Sequence, residues 1–185
     1  MSLRRHLVAI VLGLTACRES SVGPEAMATT AEITRDENAQ FQTDSLAYTL
    51  SASNIGYVGT IGVTFVNRTG ATVYFVNCGG GTSLSLEKRV DGNWQLAWSP
   101  ILLLCLSPPI TVAAGATYRT QISIFGAYPN SKTYPQFFVA DIAGEYRAVW
   151  HSVLRTYDSS SSSFGEPLPL DARISNRFAI AVQPR

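Results

Sequence analysis

Beyond its first 17 residues the chain holds one histidine, His151, with Ser152 beside it and more serines in the next loop. A serine nucleophile needs a histidine to take its proton and a third group to orient that histidine. Neighbours in a strand point to opposite faces, so His151 cannot serve Ser152 directly. No Gly-x-Ser-x-Gly elbow is present. The expectation is a histidine lying on a strand face beside Arg147 and Val149. The carboxylates are scattered: Asp91 in a turn, Asp141 and Glu145 around Gly144, Glu166 and Asp171 near prolines. Glycoside hydrolysis needs two of them about 5–10 Å apart in a cleft. Only Asp141 and Glu145 could meet, and two solvated acids in a turn are the expected outcome. No Asp-x-Asp-x-Asp array suggests calcium. Gly79-Gly80-Gly81 precedes an alternating run and no helix, so it reads as a corner rather than a phosphate cradle. Asn67-Arg68-Thr69 fits an N-glycosylation acceptor, but its place in a hairpin reads as turn-making. No catalytic residue, metal site or cofactor is assigned.

The three cysteines are more informative. Cys17 closes the run Leu14-Thr15-Ala16-Cys17, after Arg4, Arg5 and the apolar stretch Leu7 to Leu14. That stretch is too short for a hydrocarbon core, which needs about 20 apolar residues. The order resembles a bacterial lipoprotein signal. The resemblance implies cleavage after residue 16, lipid on the Cys17 sulfur, and a tether to a membrane outside the cytoplasm. Arg18 is not the aspartate linked to inner-membrane retention, so the outer membrane is favoured if the cell has two. Cys78 and Cys105 then remain, an even number in an oxidising compartment. A disulfide is the favoured reading. It would stabilise by about 3–4 kcal/mol in the chain-entropy model. The rivals are two free thiols, or a metal held by Cys78, Cys105 and His151.

The chain carries 14 basic and 13 acidic residues. Loss of Arg4 and Arg5 with the signal leaves 12 against 13. No basic field invites nucleic acid. After Cys17 no apolar run is long enough to cross a membrane, so the lipid would be the membrane contact.

Three segments follow: a signal over 1–16, a lipidated flexible tether over 17–42, and one domain over 43–185. The tether is polar, small and aperiodic, and buries too little apolar area to offset its ordering entropy. In the domain, short runs rich in Val, Ile, Tyr, Phe and Thr alternate with Gly, Asn, Asp and Pro. Leu46, Tyr48 and Leu50 form one stripe; Ile61, Val63 and Phe65 form another. Leu84, Leu86, Lys88 and Val90 lead into Asp91-Gly92, and Trp94, Leu96 and Trp98 lead away on one face. Asp-Gly between alternating runs favours a type I′ hairpin. Ile101 to Leu106 is a continuous apolar run. Tyr146, Ala148 and Trp150 share a face, and Ile174, Phe178, Ile180 and Val182 close the chain. Asp158 and five serines form a low-complexity loop tip. The expected fold is all-β, an antiparallel sandwich of about seven to nine strands.

Three pieces resemble bacterial immunoglobulin-like domains of small exported proteins. They are Val63 to Phe75 (strand, turn, strand), the Leu84 to Trp94 hairpin with its Gly-x-Trp, and the Gly-x-Tyr-Arg of Gly144 to Arg147. Ala114-Gly115 is similar to the family's Pro-Gly turn. The resemblance covers roughly residues 45 to 155 and implies an immunoglobulin-like sandwich. The same layout occurs in domains similar to the bacterial intracellular proteinase inhibitor, but no reactive-loop motif carries over.

The expected role is contact without catalysis: a lipid-anchored cell-envelope protein, periplasm-facing or on the surface, that binds a protein or glycan through its loops. The alternative is a proteinase inhibitor-like module using loop 126–137 or 157–169. A hydrolase or metal-binding protein is less favoured. Trp94, Trp98 and Trp150 are expected in the core. Tyr128, Tyr134 and Tyr157 lie near loops and are the candidate binding surface, since tyrosine supplies contact area at low entropy cost. Arg147 could meet an acidic partner, or pair with a strand neighbour, which is favoured.

Overall fold

The computed structural model describes residues 33–34, 39–101 and 107–184. Across them the protein is all-β, with one 3-10 turn at Leu170–Arg173. Seven strands are six residues or longer: β2 (Ala47–Ala52), β3 (Gly56–Val66), β7 (Leu84–Val90), β8 (Asn93–Trp98), β10 (Thr117–Ala127), β11 (Gly144–Trp150) and β15 (Phe178–Gln183). These are the runs that alternate in the sequence. Between them lie three-residue strands, β1 (Phe41–Thr43), β4 (Val73–Phe75) and β9 (Ile110–Val112). Five more have two residues: β5 (Asn77–Cys78), β6 (Gly81–Thr82), β12 (Val153–Leu154), β13 (Tyr157–Asp158) and β14 (Ser163–Phe164). A two-residue strand leaves no periodic trace, so sequence reading passes over it. The expected signal segment 1–16, Cys17 and Cys105 lie outside the described residues. Among the described residues the first strand begins at Phe41, inside the segment expected to be tether.

The largest sheet runs β1-β3-β2-β15-β11-β7-β8, and β10 pairs with the other edge of β3. Its ladders are antiparallel except between β2 and β15, which run parallel from Ala47 opposite Ala179 to Ser51 opposite Gln183. β1 pairs with the far end of β3, Phe41 opposite Phe65, while β2 meets β3 only at Ser51 and Ala52. The chain thus leaves β3 after three residues and crosses to β15. Asn176 holds this crossing: its Oδ1 accepts from the Thr43 N–H at 2.8 Å and its Nδ2 donates to Thr43 Oγ1 at 2.9 Å. A second sheet, β12-β4-β9, packs on the first through Phe75, whose ring lies 5.0 Å from Phe65 and 4.6 Å from Trp150.

The core lies between these layers. Phe41, Leu50, Ile61, Phe65, Phe75, Leu86, Tyr146, Ala148, Trp150 and Phe178 are buried there. The stripes of the sequence reappear: Tyr146, Ala148 and Trp150 point inward on β11. The Asp91-Gly92 turn has φ of 49° and 81° at its two central residues, as a type I′ turn requires.

One stripe is broken. Leu86 is paired with Trp98, but Glu87 is paired with Leu96, so Ala97 is an extra residue on β8. A bulge of this kind turns later side chains over. Trp98 is therefore buried, while Leu96 is exposed and Trp94 half-buried on the other face. The expectation of all three on one core-facing side is corrected here. Burial of Trp98 is also served by Phe125, whose carbonyl accepts from its Nε1 at 3.2 Å.

Lys88 occupies an inward position among apolar neighbours and is buried. Its stem crosses the core edge, and its ammonium donates to the Asp141 carbonyl at 2.6 Å and lies 3.3 Å from Oδ2. Gly144 leaves room for that stem. A Cβ there would sit 2.8 Å from Lys88 Cε, and its φ of +143° also disfavours a side chain.

Candidate functional site

The sequence offered His151, two acids and a set of tyrosines, and the structure distributes them over four places. His151 follows β11, and its Nε2 lies 2.5 Å from Ser85 Oγ on the neighbouring strand β7. The two residues are 66 positions apart, and β11–β7 pairing brings them together. Ser85 was absent from the sequence candidates, because only the sheet register reveals this neighbour. The His151 N–H donates to the Ser83 carbonyl at 3.0 Å. Arg173, from the 3-10 turn, donates through Nη1 to the carbonyls of Trp150 and His151 at 3.0 and 2.9 Å. Its Nε donates to the Leu168 carbonyl at 2.7 Å.

This hydroxyl–imidazole pair has the groups of a nucleophilic dyad but not its access. Ser85 is wholly buried, at 0% exposure, so no substrate carbonyl can reach its oxygen. The nearest acid, Glu87, is 2.6 Å from Arg147. Together Ser85, His151 and Arg173 tie β7, the end of β11 and the 3-10 turn to one another. Burial of the ring, reinforced by the Arg173 charge and opposed by Glu87, holds the His151 pKa below the usual histidine value.

Asp141 and Glu145 do not meet as a pair. Asp141 takes Lys88. Glu145 bridges Arg177 at 2.9 Å and Arg89 at 3.5 Å. Arg147 is engaged as well: it ion-pairs with Glu87 and its guanidinium stacks 4.5 Å over the Trp94 ring. The outer face of β7 and β11, with Arg177 ahead of β15, thus carries alternating charges paired across strands. Among the described residues no group of three or more His, Cys, Asp or Glu is placed to hold a metal. Asn67 is buried, and its Nδ2 donates to the carbonyls of Ala71 and Val112 at 2.8 Å each, so it serves the turn.

Tyr128 and Tyr134 belong to one end of the molecule. There the segment 135–138 bridges β10 to β8: Ala127 N–H donates to the Pro135 carbonyl, Phe137 N–H to Ala127, and Phe138 N–H to Ala97. The Tyr128 hydroxyl donates to the Ser53 carbonyl at 2.7 Å, and its ring meets Tyr57 edge-on. Ile55, Val58, Phe125, Tyr134 and Phe138 are exposed at this same end, Tyr134 at 58%. Val58 and Phe125 are directly opposed across β3 and β10. Ile55, Val58, Phe125 and Phe138 were not among the sequence candidates. Val58 and Phe125 face outward because alternation along β3 and β10 puts them on the side away from the core.

Tyr157 lies apart, between Tyr74 at 6.0 Å and Phe164 at 5.3 Å, at the base of the β13–β14 hairpin. The serine run is the tip of that hairpin. Asp158 accepts there from Ser160 N–H, Ser160 Oγ and Ser161 Oγ, which hold its pKa down to about 2.

Cys78 sits in β5, and Cys105, the partner expected for it, lies outside the described residues. The chain on the far side of residue 106 nevertheless returns to this hairpin. Gly79 N–H donates to Ser107 Oγ at 3.0 Å, and Asn77 Nδ2 donates to the Pro108 carbonyl at 2.7 Å.

No family model matches the chain, and no curated protein matches it. Among solved structures, the chain is similar to a Pseudomonas fluorescens alkylpurine DNA glycosylase, AlkC, bound to DNA containing an abasic site analog. The likeness has 10% identity and a TM-score of 0.30, and covers 77% of this chain and 31% of that one. At that score it carries no functional argument.

The His151 arrangement makes a pH prediction. Because its folded pKa is lowered, the neutral ring's contribution is fully present above the unfolded histidine value of about 6.5. It is lost as pH falls through the folded value. Thermal denaturation at pH 7.5 and pH 5 should show the native protein losing more stability on acidification than His151→Gln. Equal losses would remove His151 from this role.

Proposed function

We propose that this chain is a lipid-anchored envelope protein whose immunoglobulin-like domain makes contacts through the loops at one end and performs no catalysis. The fold reading is supported by strand pairing. β1, β3 and β10 form one set, and β2, β15, β11, β7 and β8 the other, in the manner of a variable-type immunoglobulin sandwich. The chain switches between sets at the β1–β2 crossing, and β2 runs parallel to the final strand. Tyr146 adds a second likeness. It lies near the start of β11, and its hydroxyl donates to the Ile142 carbonyl at 2.6 Å, as in a tyrosine corner. The disulfide departs from the pattern, since Cys78 lies in a hairpin between strands and not on a core strand.

The observation that carries the functional reading is the position of the exposed apolar end. Gln40 enters beside Val66, its carbonyl accepting from the Val66 N–H at 2.7 Å. Ile55, Val58, Phe125 and Tyr128 lie at the opposite end of β3, roughly 30 Å away by strand rise. A chain held at Cys17 would present that end away from the bilayer. Exposed aromatic and aliphatic side chains grouped at a loop end are the usual material of a contact surface.

Three measurements test this reading. Replacing Cys17 with alanine should move the protein from the membrane fraction to the soluble fraction; retention with an unchanged lipid label would place the anchor elsewhere. Photo-crosslinking in intact cells should give protein or glycan adducts from position 134. Tyr128→Ser combined with Phe138→Ser should reduce them about tenfold, and undiminished adducts would sink the loop surface. The Cys78–Cys105 bridge is proposed from the return of Ser107 to Gly79. Non-reduced peptide mapping should recover the two cysteines joined, and reduction should lower stability by about 2–4 kcal/mol. Recovery of Cys105 as an alkylated free thiol would refute the bridge.

A further inference from the structure

The turn after β3 is folded around the Asn67 side chain. Its Oδ1 accepts from the Thr69 N–H at 3.0 Å and from Thr69 Oγ1 at 2.7 Å, and its Nδ2 donates to the Ala71 carbonyl at 2.8 Å. The C=O and N–H of one trans peptide point in opposite directions. With the Ala71 carbonyl turned in toward Asn67, the Thr72 N–H is turned away from it. Among the described residues the N–H groups of Gly70, Ala71 and Thr72 donate to no acceptor, and the Thr72 hydroxyl has no partner. Successive free N–H groups in a turn make a concavity that favours anions.

Arg155 reaches the same place from the neighbouring segment. It follows β12, and its N–H donates to the Glu166 carbonyl at 2.9 Å, while Leu168 N–H donates to the Val153 carbonyl at 2.8 Å. This register sets Arg155 opposite Glu166, a position from which strand neighbours of opposite charge pair. The two side chains nevertheless form no ion pair, and Arg155 holds no described carboxylate. Lys88, Arg147 and Arg177 each hold one. Arg173 adds a second uncompensated charge behind this segment, since the carbonyls of Leu168, Trp150 and His151 hold its guanidinium and no carboxylate does.

Between the turn and Arg155 lies a cavity of ≈ 190 Å³, lined by residues 69–73, Arg155 and the buried Leu168. Every residue lining it, with the chain on either side of each, is among the described residues. It lies at the end of β3 where Gln40 meets Val66, away from the exposed apolar loops. The stretches 66–73 and 110–118 at this end carry no acid.

We infer that this cavity binds a phosphate group, whose oxygens are shared between the Arg155 guanidinium and the N–H groups of Gly70, Ala71 and Thr72. The chemical class follows from the donors. A guanidinium is a planar fork that suits carboxylate and phosphate alike. The turn amides and the Thr72 hydroxyl approach from a second wall, and donors on two walls suit a tetrahedral oxyanion. The donors are the same for a small phosphorylated molecule and for the headgroup of a lipid in the membrane to which the chain is proposed to be tethered. The site is separate from the apolar loop end, and its failure would leave the contact reading of that end standing.

The test uses the full chain in micelles of a neutral detergent, titrated at constant ionic strength. One arm adds inorganic phosphate, with chloride as its control. The other mixes phosphatidylglycerol into the micelles, with an ionised fatty acid as its control. The amide signals of Gly70, Ala71 and Thr72 and the Nε–H signal of Arg155 should move together and saturate. Saturation with inorganic phosphate identifies a soluble ligand; saturation with the lipid alone identifies a headgroup. Arg155→Gln should weaken binding about tenfold or more with an unchanged Tm, since its side chain makes no hydrogen bond within the described residues. Glu166→Gln removes the carboxylate opposite Arg155 and should tighten binding about threefold. No movement in either arm, equal movement with chloride or the fatty acid, or affinity that survives Arg155→Gln would overturn the proposal.

Discussion

The fold turns on one buried indole. Trp150 is fully enclosed, and its ring lies within 4.7 Å of Phe41, 4.6 Å of Phe75, 6.2 Å of Phe65 and 5.9 Å of Tyr118. Those partners come from β1, β4, β3 and β10, so one side chain on β11 touches both sheets and the first strand. Burial of so large a ring supplies much apolar stabilisation, but its N–H must also be satisfied. Thr82 Oγ1 accepts it at 2.8 Å. That bond draws the β5–β6 hairpin, with Cys78, against the core. The hairpin's position thus depends on where Trp150 sits.

Polar groups near the core obey the same requirement. Lys88 faces inward yet reaches the Asp141 backbone at the rim. The Tyr146 hydroxyl finds Ile142, and burial raises its pKa far above the usual tyrosine value. Tyr48, which hydrogen-bonds Asp44 at the sheet edge, is pushed up to about 12, chiefly by burial and then by that carboxylate. The two phenols therefore stay neutral across the physiological range. Burial acts the other way on His151, whose pKa is lowered, and it lies where two strands and a turn converge.

Local patterns in the sequence carried the long strands well. Period-two stripes mark β3, β7, β10 and β11, because each buries one face continuously. The Asp91-Gly92 turn was legible because few residue pairs tolerate two positive φ angles. The bulge at Ala97 was not, since it depends on the register against β7, and it sends Trp94 outward. Ser85 and His151 were not legible as a pair for the same reason. Lys88 sat in an apolar stripe, and only the tertiary position of Asp141 explains why it is tolerated there. Of the loop tyrosines, the structure groups Tyr128 with Tyr134 and places Tyr157 with a different hairpin.

The crossing of the first strand has a mechanical consequence. Any pull on the chain ahead of Phe41 enters the domain at β1, whose three pairs with β3 can be peeled one after another. Peeling then meets the side-chain clamp of Asn176 on Thr43, which grips both backbone and hydroxyl. Beyond it, load passes to β2 and its five parallel pairs with β15, the last strand of the chain. Tension from the N-terminal side is therefore received by the C-terminal strand, after the slack released at β1 has drawn Phe41 away from Trp150.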